Sequence, residues 1–145
     1  MKKILISACL VGDKVNYKGQ GKYNPLIKDL LSRYELVPFC PEVNGGLSIP
    51  RLPSEIRGDK VVHENGVDVT SNFNEGAKKA LNLCKALNIK IAILKENSPS
   101  CGTHFIHDGL FRDKLIPGMG ITAKLLKENG IEVYSDEEIE KLINK

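Results

Sequence analysis

Tryptophan is missing from this 145-residue chain, and aromatic side chains make up only 6% of it. That leaves little of the flat apolar surface on which single-stranded nucleic acids stack. No long block of lysine or arginine occurs, and the formal net charge is only +3. Such a charge permits an anionic ligand or RNA without requiring either. No apolar run approaches the roughly 20 residues that span a bilayer. Met1-Lys2-Lys3 followed by Ile4-Leu5-Ile6-Ser7-Ala8-Cys9 has the look of a lipoprotein signal, but eight residues before the cysteine are too few against the roughly 15–30 of a secretory signal. The close cysteine pairs of ordinary zinc ribbons are absent as well. A soluble cytoplasmic protein is expected, with no membrane partner and with cysteines kept reduced unless they bind metal or do redox work.

What is present suffices for a core. With 41% hydrophobic residues, the chain is expected to form one domain over 1–145 without covalent staples. Short β-branched runs, Lys3 to Ala8, Glu35 to Phe39 and Ile89 to Leu94, read as interior strands of a parallel sheet. Each runs toward a cysteine: Cys9, Cys40 and Cys101. Between the first two, Asn24-Pro25 offers an N-cap with proline at the first helical position, ahead of Leu26, Ile27, Leu30 and Leu31 at helical spacing. Pro41 to Pro53 reads as a long irregular loop. Asn65-Gly66 predicts a hairpin joining Val61-Val62-His63 to Val67-Asp68-Val69.

Ser71 is expected to cap a helix whose apolar stripe holds Phe73, Ala77, Ala80, Leu81, Cys84 and Leu87. Asp108-Gly109 predicts a second hairpin between His104 to His107 and Leu110-Phe111. Gly118-Met119-Gly120 precedes a helix ending at Asn129-Gly130. Ile131 to Tyr134 is a last strand, and Ser135-Asp136-Glu137-Glu138 opens a capped terminal helix. The expected fold is α/β: a three-layer, Rossmann-like domain with a mostly parallel sheet of about four strands plus short hairpins.

In such sheets ligands bind beyond the carboxyl ends of the strands, where Cys9, Cys40 and Cys101 fall. Strands about 4.8 Å apart let thiols from adjacent ends converge on one object. Cys84, on the apolar stripe, reads as a core thiol. The trio fits unrelated turn residues, a zinc site completed by His104 or His107, a thiol switch or cysteine nucleophile using one or two of the three, or an iron–sulfur cluster. Three thiolates fit the cluster best, because they leave one iron open to substrate.

The combination of motifs is specific. Ser7-Ala8-Cys9-Leu10, Cys40-Pro41-Glu42-Val43, Gly45-Gly46, Pro50-Arg51, Pro53, Glu55-Ile56, Gly66-Val67-Asp68-Val69-Thr70, Ser98-Pro99-Ser100-Cys101-Gly102, Asp108-Gly109 and Gly118-Met119-Gly120-Ile121-Thr122-Ala123 together resemble the small bacterial family of thiouracil desulfidases, long filed as a domain of unknown function. The likeness runs over nearly the whole chain. It implies a [4Fe-4S] cluster held by Cys9, Cys40 and Cys101, a catalytic glutamate at Glu42 and a catalytic serine at Ser98. It further implies a non-redox reaction in which water replaces sulfur on a thiolated pyrimidine, such as 2-thiouracil or a thiouridine in transfer RNA, and sulfide leaves.

Each residue also has a plainer reading. Glu42 could be a solvated loop acid and Ser98 a turn cap, with Ser100 competing for the substrate-facing position. Ser7, Asn97 and Tyr17 are candidate lining groups. His104 and His107 are expected to share one face of a short strand, as ligands or as plain surface. The Gly118–Gly120 loop could leave N–H groups free for an anion. His107 and the segment Arg51-Leu52-Pro53-Ser54 depart from common versions of the pattern and are expected at the pocket rim. Outside catalysis, the alternative is a zinc-binding or redox-sensing cysteine module.

Overall fold

The computed structural model describes residues 1–144. Its centre is a four-stranded, wholly parallel sheet of β1 (Lys2–Ser7), β2 (Tyr34–Phe39), β5 (Ile91–Leu94) and β8 (Glu132–Ser135), in the order β2-β1-β5-β8. The strands read as continuous apolar runs because both faces are covered. Leu5, Ala92 and Leu94 point to one side, against Ala80, Leu81 and Cys84 of α3 (Thr70–Leu87) and Ala123 and Leu126 of α4 (Ile121–Glu128). Ile4, Ile6, Ile91 and Ile93 alternate to the other side, against Ile27 and Leu30 of α1 (Ile27–Leu31) and Ile139 and Leu142 of α5 (Ile139–Ile143). Most of these side chains are fully buried, each leucine or isoleucine contributing about 1.5–3 kcal/mol of transfer free energy. The three-layer α/β arrangement is therefore dictated by period-2 alternation within strands that look uniformly apolar.

Several local expectations shift. Helix α1 begins at Ile27 with Leu26, not Asn24, at its N-cap; Asn24 instead accepts the Leu26 N–H at 3.0 Å and closes the preceding turn, which holds Pro25. The stretch after Cys40 is not wholly irregular, because Pro41–Asn44 forms the short helix α2. The first hairpin pairs upstream: β4 (Lys60–His63) lies antiparallel to β3 (Ser54–Arg57), while the Val67–Val69 side joins only through a bridge between Val62 and Asp68. β4 thus takes β3 on one side and the return of the Asn-Gly turn on the other, where the His63 N–H donates to the Val67 carbonyl (2.8 Å) and the Val69 N–H to that of Val61 (2.9 Å).

Helix α3 starts at Thr70, and its first turn is tied by Asp68, which accepts from both the N–H and the hydroxyl of Thr70 (2.8 and 2.6 Å). Ser71 therefore lies inside the helix and does not cap it. In the second hairpin, β6 (Phe105–His107) pairs with β7 (Leu115–Pro117), so 108–114 is a longer loop than Asp108-Gly109 suggested. At the C-terminus, Ser135 and Glu138 form the expected capping box around a 3-10 turn, Asp136–Glu138, that leads into α5. Among the described residues no helix is long and apolar enough to cross a membrane.

Candidate active site

Beyond the carboxyl ends of β2, β1 and β5, three neighbouring strands, lies a cavity of about 420 Å³ lined by Cys9, Cys40 and Cys101. Cys84 lies elsewhere, fully buried in the core. A different local device holds each of the three thiols.

Cys9 sits in the 3-10 turn Ala8–Val11 directly after β1, closed by Gly12 in the left-handed region (φ 99). Its carbonyl accepts the N–H groups of Gly12 (3.1 Å) and Lys22 (2.7 Å), which folds the 12–23 loop back over the turn. Cys40 is extended and immediately precedes α2, with Pro41 at the first helical position. Helix α2 rests backbone to backbone on α3: a Cβ on Gly76 would stand 1.9 Å from the Pro41 carbonyl oxygen, and one on Gly45 would stand 2.1 Å from that of Asn72. Glycine inside a helix is otherwise costly, and here it allows Cys40 and Glu42 to come down onto the sheet.

Cys101 is not at a strand end but in a turn that doubles back after β5. Ser98 Oγ accepts the N–H groups of Ser100 (3.1 Å) and Cys101 (3.2 Å), and Gly102 N–H donates to the Ser98 carbonyl (2.8 Å). The start of α4 locks this turn from below. N–H groups of Ile121, Thr122 and Ala123 donate to the carbonyls of Pro99 and Ser100 at 2.8–3.1 Å, and a Cβ on Gly120 would stand 2.5 Å from the Ser100 carbonyl carbon. The Gly118–Gly120 loop therefore does not offer these helix N–H groups to an anion. They hold the cysteine turn.

Burial shapes the chemistry of the thiols. It pushes the Cys101 thiol up to about 12, against hydrogen bonds from Ser100 and Ser7 and with the negative charges of Cys40 and Glu42 adding to the rise. Cys9 is pushed to about 11 by burial and then by the charge of Cys40, partly offset by Lys95. Cys40 is raised for the same first reason, desolvation. The mutual charge effects place the thiols within electrostatic reach of each other, and all are free. They surround the cavity instead of gathering at a point: among the described residues no three His, Cys, Asp or Glu side chains could hold a single metal ion.

Glu42 closes one wall. Arg51 Nε donates to its Oε1 at 3.1 Å, and the two side chains are only 5% (Arg51) and 15% (Glu42) exposed. Arg51 also donates to the carbonyls of Val15 (3.0 Å) and Ser48 (3.1 Å), tying the carboxylate to two loops. The other oxygen, Oε2, lies 3.3 Å from the hydroxyls of both Ser98 and Ser100. Ser98 Oγ thus accepts two backbone N–H groups and has Glu42 Oε2 (3.3 Å) and Ser100 Oγ (3.1 Å) as partners for its own hydrogen. It is a turn cap and a partner of the acid at once. Ser100 Oγ, 1% exposed, is also 3.4 Å from Cys101 Sγ.

The remaining candidates divide. Ser7 borders the cavity, but its buried hydroxyl accepts the Lys95 N–H at 2.9 Å and hydrogen-bonds the Cys101 sulfur, so it supports the thiol. Asn97 lines the cavity in the left-handed conformation (φ 70) that asparagine tolerates. Tyr17 is a lining residue whose carbonyl accepts the Arg51 N–H at 2.8 Å. His104 and His107 do not share a face. They are three positions apart and the pleat alternates, so His107 lines the cavity while the exposed His104 stands 2.9 Å from Glu138.

Two site features were not legible beforehand. Glu55 and Phe111 both line the cavity, Glu55 because an acid in β3 turns inward to hold a loop. Glu55-Ile56 counted among the motifs of the resemblance, which gave Glu55 no role in the site.

The profile of the 2-thiouracil desulfurase family matches residues 4–138. The chain belongs to that family. It is 42% identical over 150 residues to the uncharacterized protein YbbK of Bacillus subtilis (strain 168), across 97% of this chain and 99% of the relative. Among solved structures it superposes on the [4Fe-4S]-dependent thiouracil desulfidase TudS with a TM-score of 0.93 and 44% identity, over 98% of this chain and 95% of the other. The desulfurase fold is thus shared nearly end to end, including the segments that build the cavity.

Proposed function

We propose that this protein is a [4Fe-4S]-dependent desulfidase that hydrolyses the thiocarbonyl of a pyrimidine, as a free base such as 2-thiouracil or as a thiouridine in transfer RNA, and releases sulfide. The observation that carries this reading is the convergence of three thiols from three adjacent strands on one cavity whose wall holds a paired glutamate and serine. We read residues 1–145 as one catalytic unit working in the reducing cytoplasm.

The thiols fit the cluster by their chemistry. Buried thiols this reluctant to ionise need a cationic partner to become thiolates. Spread round a cavity, they suit the several irons of a cluster better than a single zinc. Cys9, Cys40 and Cys101 would hold it, and when bound it supplies an open iron, a soft Lewis acid for the thiocarbonyl sulfur.

The chain's own residues supply the proton chemistry. Glu42 stands two residues after Cys40 with one oxygen fixed by Arg51 and the other facing the serines. An acceptor held in this way takes a proton from water attacking the thiocarbonyl carbon and returns it toward the departing sulfur. Ser98, a hydroxyl 3.3 Å from Glu42 Oε2, holds the substrate's polar edge and carries the proton between them. The balance is one water consumed and one hydrogen sulfide released per carbonyl formed. No electron is transferred.

Anaerobic reconstitution followed by side-by-side sulfide assays on 2-thiouracil, 4-thiouridine and thiolated transfer RNA tests the proposal and identifies the preferred form of substrate. Stoichiometric zinc in a colourless protein after reconstitution would instead favour the non-catalytic module.

A further inference from the structure

The loop joining β6 to β7 holds an anomaly. Phe111 has φ 53 and Asp113 has φ 57, the left-handed region, which is unusual for any non-glycine residue and an outlier for a bulky one. Strain of this kind persists only where surrounding structure enforces it, and here the enforcing residues are visible. Glu55 Oε1 accepts the N–H groups of Gly109 (2.9 Å) and Phe111 (3.1 Å) from a site only 7% exposed. Arg57 donates to the Gly109 carbonyl through Nε (3.0 Å) and Nη2 (2.7 Å). Gly109 passes so close to β3 that a Cβ there would stand 2.7 Å from the Ile56 carbonyl oxygen. A buried carboxylate and a guanidinium thus clamp one short loop.

The clamped loop does not serve the core. Phe111 belongs to none of the three apolar clusters of the described residues, yet it lines the cavity shared with the thiols and Glu42. A half-buried aromatic ring that lines the thiol cavity from a costly backbone conformation is placed to offer its π-face to a flat ligand.

We infer that Phe111 is the substrate-stacking residue of this site, and that Glu55 is the positioning residue that holds its ring over the cavity. The ligand class is a planar, π-conjugated pyrimidine; a thiocarbonyl compound without a flat ring would not gain from it. The inference rests on the desulfidase reading and adds to it which part of the molecule is recognised away from the sulfur.

The test uses cluster-loaded protein and whichever of 2-thiouracil and 4-thiouridine the wild type desulfurises, paired with its 5,6-dihydro counterpart, which keeps the thiocarbonyl but has lost ring planarity. Phe111→Asn keeps a residue that tolerates the left-handed backbone and removes the ring. It should raise KM for the aromatic substrate at least about fivefold, the lower end of base–aromatic stacking, with kcat within about twofold, and move KM for the dihydro compound less than about threefold. Phe111→Tyr should restore KM to within about threefold of wild type. Glu55→Gln should raise KM in the same direction, and Phe111→Asn combined with Glu55→Gln should be no worse than Phe111→Asn alone. Equal KM for Phe111→Asn and wild type, or equal rises for both substrates of the pair, overturns the inference while leaving the desulfidase reading intact. A wild-type holoprotein that releases sulfide from no thiopyrimidine overturns both.

Discussion

Arg51 Nε lies 3.1 Å from Glu42 Oε1, a pair almost withdrawn from solvent at the edge of the thiol-lined cavity. Because Arg51 also binds the carbonyls of Val15 and Ser48, one guanidinium couples two loops to the carboxylate proposed to move the protons. Removing one partner of a largely buried pair leaves an uncompensated charge, which costs about 3 kcal/mol. Arg51→Met should therefore lower stability to urea by that order and suppress sulfide release. Glu42→Gln combined with Arg51→Met should recover most of the stability and none of the activity. Urea titrations of the two single variants and the double variant, alongside sulfide assays, check both statements.

Glu42→Gln and Ser98→Ala should separate chemistry from assembly. Loss of a positioned acid–base group reduces rate by about 10²–10⁴-fold, so Glu42→Gln should keep a full iron and sulfide complement while kcat falls within that range. Ser98→Ala loses the hydroxyl and also strands the N–H groups of Ser100 and Cys101. It should cost roughly 1 kcal/mol in addition and loosen the cluster. Iron content per chain, measured with the rate, distinguishes the two variants.

The four cysteines should behave as three plus one. Cys9→Ala, Cys40→Ala and Cys101→Ala should each lose the visible absorption of the reconstituted cluster, because each removes a thiol from the cavity wall. Cys84→Ala should retain it and lose only about 1 kcal/mol of stability, since Cys84 packs in the core between the sheet and α3. Absorption spectra with iron analysis after parallel reconstitution decide this.

Acid should weaken the C-terminal capping box in a predictable window. Burial raises the Glu138 carboxyl, but hydrogen bonds from Lys141, the Ser135 N–H and His104 outweigh it and hold the group down at about 2, below its ordinary 4.5. A carboxyl depressed in the folded state contributes stability that is full above the unfolded value and disappears as pH falls through the folded one. Glu138→Gln should therefore be less stable than wild type at pH 7, and the gap should narrow between about pH 4.5 and 2. Unfolding midpoints in urea across that interval test the sign.

Gly76 is the least conspicuous residue on which the site depends. Gly76→Ala improves helix propensity by about 1 kcal/mol, yet its Cβ would collide with the Pro41 carbonyl. The variant should be less stable than wild type and bind less iron per chain, because α2 carries Cys40 and Glu42 away from the sheet. Thermal unfolding and iron analysis report the two effects.

The sheet and the layer helices were legible because β-branched runs and 3.6-residue stripes are local signals, as for Ile91 to Leu94 and the Phe73–Cys84 stripe. The cysteine trio was legible from topology, though the path of Cys101 through a doubled-back turn was not. Capping and hairpin details shifted where a neighbouring residue or strand outside the expected motif took part. Asp68 displaced Ser71 at the head of α3, and β4 pairs with β3 in addition to the Val67–Val69 arm. Of the site's supports, Arg51 on Glu42 closes across a stretch without regular period and Glu55 on the Phe111 loop joins residues far apart in the chain. No periodicity announces such pairs. Glu42 and Ser98 were named from the resemblance, and their 3.3 Å approach came only with the fold.

The central claim is that this cavity replaces thiocarbonyl sulfur with water oxygen, without net redox chemistry. Anaerobic turnover of 2-thiouracil by the cluster-loaded protein in ¹⁸O-labelled water, without added reductant, measures it directly. The account predicts one sulfide and one singly ¹⁸O-labelled uracil per substrate consumed, with the yield collapsing in Glu42→Gln. Uracil formed without label, or sulfide release that requires a stoichiometric electron donor, would contradict it.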